Sequence, residues 1–320
     1  MSNILEPRMY YKPFEYPRAF ELYEQHESLH WLPKEVPLAQ DIIDWNKKLN
    51  QKERDFLTQI FRFFTQADTD VAGAYAQKYL PTFRKPEVRM MLLSFAGREA
   101  VHQAAYSHLI DSLGMPEITY KQFLDYEVMR EKHDYFENTI DKGADNIIQQ
   151  MVAISAMTEG VQLFASFIML LNFTRFNKMN GMGQIVTWSI RDEDLHCEGM
   201  TWLFRQFIKE NREVWNDELK AELYGIAEKM IDLEDKFIDL AFNDCPMEGL
   251  TAEEVKQYIR YIADRRLIAL GLKGIFRVKH NPLPWVEELL SAPEHAAFFE
   301  TRATEYSKGN MKGTWSNVWK

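Results

Sequence analysis

Between residues 51 and 272 the chain keeps a helical period almost without a break. Apolar residues recur every three or four positions over the spans 51–79, 86–114, 119–134, 144–173, 182–212, 216–243 and 251–272. Breakers separate them: Pro81 and Pro86, Gly114 and Pro116, Gly143, Gly181 and Gly183, Pro246 and Gly249. No segment sustains period-two alternation, no Gly-rich phosphate loop occurs, and no repeat of fixed period is found. Helices of roughly thirty residues on short loops predict an all-α bundle built as one domain.

The two ends read differently. Residues 1–50 are punctuated by Pro7, Pro13, Pro17, Pro33 and Pro37 and predict an arm lying over the core. Beyond about residue 290 the period fades. The last residues, EYSKGNMKGTWSNVWK, are rich in Gly, Ser, Asn and Lys, yet carry Trp315, Val318 and Trp319. The expected division is a helical domain with its arm over 1–290 and a flexible tail over 291–320.

Composition narrows the function classes. With 46% hydrophobic residues the chain can bury a sizeable core. Its net charge of −10 argues against a nucleic-acid binder or an anionic-membrane binder. Two cysteines, Cys197 and Cys245, make no disulfide framework and suit a reducing compartment. The N-terminal stretch lacks the apolar core of a signal peptide, and VQLFASFIMLL (161–171) is too short to span a bilayer. A cytoplasmic protein is expected.

The chemistry lies where polar residues interrupt apolar stripes. The first long stripe runs Leu57, Phe61, Phe64, Asp68, Val71, Tyr75, whereas Asp70 points about 200° away. The second runs Leu92, Phe95, Glu99, His102, Tyr106, Leu109. The third runs Val152, Ala156, Glu159, Leu163, Phe167, and the fourth Val186, Glu193, His196, Met200, Leu203, Phe207. Four helices thus each bring a carboxylate to a buried face, and two add a histidine three residues on. A third Glu-x-x-His, Glu27/His30, lies on no long stripe and is taken as coincidence.

A charge in an apolar interior costs several kcal/mol unless it is paired or bound to a metal. Four carboxylates together would also repel and raise one another's pKa. Two divalent cations would neutralise them. Oxygen and imidazole donors suit iron or manganese, and Glu-x-x-His puts both donors on one helical face. This constellation is the known pattern of dinuclear carboxylate proteins with a ferritin-like bundle. The first lone carboxylate departs from that pattern in being Asp68 rather than Glu.

With these six residues placed, the chain resembles the small, radical-generating subunit of class I ribonucleotide reductase. The resemblance runs through HWLPKEVPL, FTQADTDV, REAVHQAAYSH, TEGVQLFASF and RDEDLH to the tail. It implies a dinuclear metal site held by Asp68, Glu99, His102, Glu159, Glu193 and His196. It implies a radical on Tyr106, one turn beyond His102, shielded by neighbours such as Leu163 and Phe167. It implies radical transfer from His102 through Asp192 and Trp31 to Tyr306 in the tail. The resemblance further implies a homodimer and a large catalytic subunit engaged by the tail. It leaves open a flavoprotein activator and whether the metals are iron, manganese or a mixed pair, with iron favoured. Two rivals differ in class. A stand-alone ferritin-like dinuclear oxidase would favour Glu at position 68 and lack the Trp-bearing tail. An iron-storage protein would be a shorter bundle without Trp31.

Overall fold

The computed structural model describes residues 3–140, 146–243 and 245–291. The chain divides into a unit spanning Met1–Pro282 and a second unit beginning at Leu283, whose described part carries the helix Pro284–Ser291. Tyr306, Trp315, Val318 and Trp319 lie outside the described residues.

Among the described residues, eight principal helices make the first unit: α1 Pro17–Ser28, α2 Gln51–Ala74, α3 Pro86–Ser112, α4 Glu127–Ile140, α5 Ile147–Thr174, α6 Asn180–Glu210, α7 Asp217–Phe242 and α8 Ala252–Ala269. Their starts follow the chain's polar punctuation. Asn50 accepts from the backbone N–H of Glu53 while the Glu53 side chain accepts from the N–H of Asn50, a capping box that opens α2. Asn216 caps α7 and Thr251 pairs with Glu254 at α8. Prolines open α1 and α3, where a missing N–H costs nothing. The start of α6 is capped by the arm instead: Asp41 accepts from Gly181 and Met182, and Asp44 from Met179.

Helix α5 is the axis of the bundle. Every residue from Gln150 through Phe173 is buried, with α6, α7 and α8 packed on it. It is long and apolar enough to cross a membrane, but its most apolar stretch is wholly buried within the bundle, as in a core helix. Helices α2 and α3 pack along each other, and α3 also meets α1 and α6.

Three departures from the sequence expectation matter. The arm is not merely irregular, since α1 forms within it and buries Ala19, Leu22 and His26. The span 119–134 breaks into two 3₁₀ turns, Glu117–Tyr120 and Gln122–Asp125, before α4 begins. Residues Met151–Gln162 of α5 are π-helical, so the backbone N–H of Leu163 bonds to the carbonyl of Thr158, five residues back. The stripe expected on α5 is therefore no stripe, for this helix is covered on all sides.

Candidate dinuclear metal centre

The polar residues expected on α2, α3, α5 and α6 converge. Asp68, Glu99, His102, Glu159, Glu193 and His196 are all buried, with at most 1% of any of them exposed. Two overlapping donor groups form: Glu99, Glu159, Glu193 and His196, and Asp68, Glu99 and His102, each with donor atoms within 4.8 Å of one another. Glu99 belongs to both. His196 Nδ1 lies 3.1 Å from Glu99 Oε1, 3.2 Å from Glu159 Oε1 and 3.2 Å from Glu193 Oε2. His102 Nδ1 lies 3.2 Å from Glu193 Oε1 and 3.6 Å from Glu99 Oε2. Both histidines turn the same nitrogen inward.

The far nitrogens meet different groups. His102 Nε2 is 3.2 Å from Asp192 Oδ2, which also accepts the indole N–H of Trp31 at 2.7 Å. The Arg98 guanidinium stands 3.4 Å from both Asp192 oxygens. His196 Nε2 is instead 3.1 Å from Nε2 of His26 on α1. Tyr75, fully buried, donates its hydroxyl to Glu159 Oε1 at 3.0 Å.

Electrostatics follow from this crowding. Burial drives Asp68 well above the usual carboxylate range; His102 opposes this, and Glu99 and Glu193 reinforce it. Burial also carries Glu159 up to about 7, against the pull of His196. Burial would likewise raise Glu99 and Asp192, but their imidazole partners win and hold both at about 2. Burial disfavours charge on His102 and His196 too, yet the surrounding carboxylates hold both well above the ordinary imidazole value. Burial, reinforced by His196 and Arg98 and only partly opposed by Asp192, brings His26 down to about 2.

A cation fits what this cluster lacks. Asp68 Oδ2 is buried without a hydrogen-bond partner, while both oxygens of Glu99 and Glu193 Oε1 face imidazole nitrogens at 3.1, 3.6 and 3.2 Å without forming a hydrogen bond. Orphaned acceptors of this kind are costly. Oxygen donors with two imidazole nitrogens are a set that iron and manganese accept.

The remaining expected residues are placed as follows. Tyr106 is 3% exposed, and its hydroxyl is 3.4 Å from Ser189 Oγ. Phe64 stacks on its ring at 4.4 Å, with Phe167 stacked behind Phe64. Trp31, Asp192 and His102 stand together, and the Trp31 and His102 rings are stacked at 6.0 Å. Asp70 faces away and pairs with His133 at 3.0 Å. Glu27 and His30 are exposed and lie outside the cluster.

His26, Tyr75 and Arg98 were not foreseen. Tyr75 ends the Asp68 stripe, so its position was readable and its hydroxyl's partner was not. Arg98 directly precedes Glu99, a place where a buried cation would have been a fair expectation beside an acidic cluster. His26 sits in a stretch whose prolines conceal the helix.

Fold and site together define a class: a helical bundle whose core carries a carboxylate and histidine cluster of the kind that holds two metal ions. The family described as ribonucleotide reductase, small chain, matches residues 8–282. The chain belongs to that family. It is 47% identical to a probable ribonucleoside-diphosphate reductase small subunit of Invertebrate iridescent virus 6, over 99% of each chain. It is 33% identical to the ribonucleoside-diphosphate reductase subunit beta of Chlamydia pneumoniae, over 93% of this chain and 90% of that one. Among solved structures, the ribonucleotide reductase R2 subunit from Clostridium botulinum superimposes with a TM-score of 0.82 at 22% identity. That match covers 86% of this chain and 89% of the other.

Proposed function

We propose that this small subunit of ribonucleoside-diphosphate reductase generates its radical at a centre of two metal ions held by Asp68, Glu99, His102, Glu159, Glu193 and His196. One observation carries the assignment: four helices bury these six side chains together, with four carboxylate oxygens left without hydrogen-bond partners. With oxygen or a reduced derivative, such a metal pair supplies the oxidising equivalent. Iron is the favoured metal, with manganese or a mixed pair as alternatives that the same donors accommodate.

Tyr106 is the proposed seat of the radical. Phe64 and the surrounding core exclude water from its ring, and Ser189 Oγ is the acceptor for its hydroxyl hydrogen. Asp192 orients the His102 ring and receives the Trp31 N–H, so that one carboxylate joins the site to the arm. From Trp31 the oxidising equivalent is proposed to pass through Tyr306 to the large catalytic subunit, where ribonucleotides are reduced. Residues 291–320 are the proposed docking tail for that subunit, on a helical domain of 1–290. A homodimer, a cytoplasmic location and service by a flavoprotein activator complete the proposal.

The test is electron paramagnetic resonance of the aerobically metal-loaded protein, with and without the large subunit. A tyrosyl signal that is consumed only when the large subunit and substrate are present is the expected result. A metal-loaded protein that oxidises small molecules alone and ignores the large subunit would refute it.

A further inference from the structure

We infer that His26 is a positioning residue for the Glu159/His196 half of the centre: it accepts a hydrogen bond from His196 Nε2 and so leaves His196 Nδ1 free to ligate. The inference rests on the ligand assignment proposed above and deepens it.

The argument runs inward from the surface. Glu27 is an exposed carboxylate and offers only acceptors. Ser94 Oγ lies 2.5 Å from Glu27 Oε1, so the single hydroxyl hydrogen is spent there. Toward His26 Nδ1, 2.6 Å away, Ser94 can then only accept, which puts the His26 proton on Nδ1. A neutral imidazole carries one proton, so His26 Nε2 is bare. The group 3.1 Å from it is His196 Nε2, which must be the donor. His196 Nδ1 is the nitrogen left over, and it faces Glu99, Glu159 and Glu193.

His26 is fully buried, its ring nitrogens meet a hydroxyl and an imidazole rather than a carboxylate, and the edge-to-face ring of Phe95 lies at 5.0 Å. The other half of the centre uses a different device, since His102 Nε2 meets the carboxylate of Asp192. One metal position is thus supported by an anion and the other by a neutral base. Outer partners of ligand histidines commonly govern affinity about 10–100-fold.

The full-length metal-free chain is titrated with Mn2+ alone by calorimetry, beside a thermal melt of the metal-free form. His26→Leu is expected to weaken one of two Mn2+ ions by about 10–100-fold and leave the other as in the parent. His26→Gln, whose amide oxygen can still accept from His196, is expected to restore most of the loss. A role in packing alone would lower the melting temperature, favour neither ion and show no rescue by Gln. Ser94→Ala, which removes the acceptor that fixes the His26 proton, is expected to weaken the same ion to a smaller degree. It stands in for His26→Leu should that variant not fold. Glu159→Ala separates the two claims. If it loses an ion while His26→Leu and Ser94→Ala bind as the parent does, the role of His26 is overturned and the ligand assignment stands. If Glu159→Ala also keeps both ions, the assignment falls and takes this inference with it.

Discussion

The Trp31 indole N–H donates to Asp192 Oδ2 at 2.7 Å, with both residues fully buried. The same oxygen stands 3.2 Å from His102 Nε2. Trp31→Phe keeps an aromatic ring there and removes the donor. It is expected to leave metal content and any tyrosyl signal near the parent level while turnover with the large subunit collapses. Stopped-flow optical and paramagnetic resonance measurements on the same sample separate the two. Undiminished turnover would remove Trp31 from the path.

Glu99→Ala and Glu193→Ala are expected to lower bound metal below two ions per chain with the far-ultraviolet helical signal nearly unchanged. Glu99 has a donor atom in both halves of the cluster, so its loss should reduce both occupancies. Glu99 is paired with both imidazoles, so the metal-free Glu99→Ala variant is expected to melt below the parent. Metal analysis and thermal melts check both parts.

Tyr106→Phe is expected to keep the metals and abolish both the tyrosyl signal and nucleotide reduction. The stacked Phe64 leaves room for the ring and needs no hydroxyl. A variant turning over at the parent rate would move the radical elsewhere.

Metal binding should release protons. In the metal-free chain, His102 and His196 are held above the ordinary imidazole value and Glu159 sits at about 7, so the cluster keeps protons at neutral pH. Ligation requires bare donors, so apparent affinity should rise as pH rises and fall as it drops. Calorimetry in buffers of different ionisation enthalpy reads the number released. Heats that are independent of the buffer would contradict the assignment.

Deleting about the last ten residues is expected to spare metal and radical and to abolish only partner-dependent activity. In a partner's groove each of Trp315, Val318 and Trp319 could contribute roughly 1.5–3 kcal/mol of apolar burial, against the cost of ordering the segment. A peptide of this sequence should compete with the whole subunit for the large one. Titration of the truncated chain against that partner decides, since unchanged affinity would leave the tail without this role.

The six clustered residues were legible because a carboxylate inside an apolar stripe is costly and four such costs are hard to explain separately. The roles of Tyr106 and Asp192 were implied by the family resemblance, with which their helical offsets to the histidines agree. Other features were hidden for physical reasons. His26 reaches the site from α1, a helix that hydrophobic period alone does not disclose among five prolines. Over 119–134 the apolar period did not reveal that the chain makes two 3₁₀ turns before the helix starts at Glu127. The widened turns of α5 leave no mark in composition, because a segment buried on every side has no polar face to report its period.

That widened stretch, Met151–Gln162, makes the proposed centre depend on how α5 is wound. Glu159 reaches its partners from within turns that accommodate more residues than an α-helix does. Relaxation of the segment to ordinary α-helix with no residue lost would swing the carboxylate by about 100° around the axis. Such a change in winding would carry Glu159 away from Glu99, Glu193 and His196, so the winding of α5 bears directly on the proposed centre.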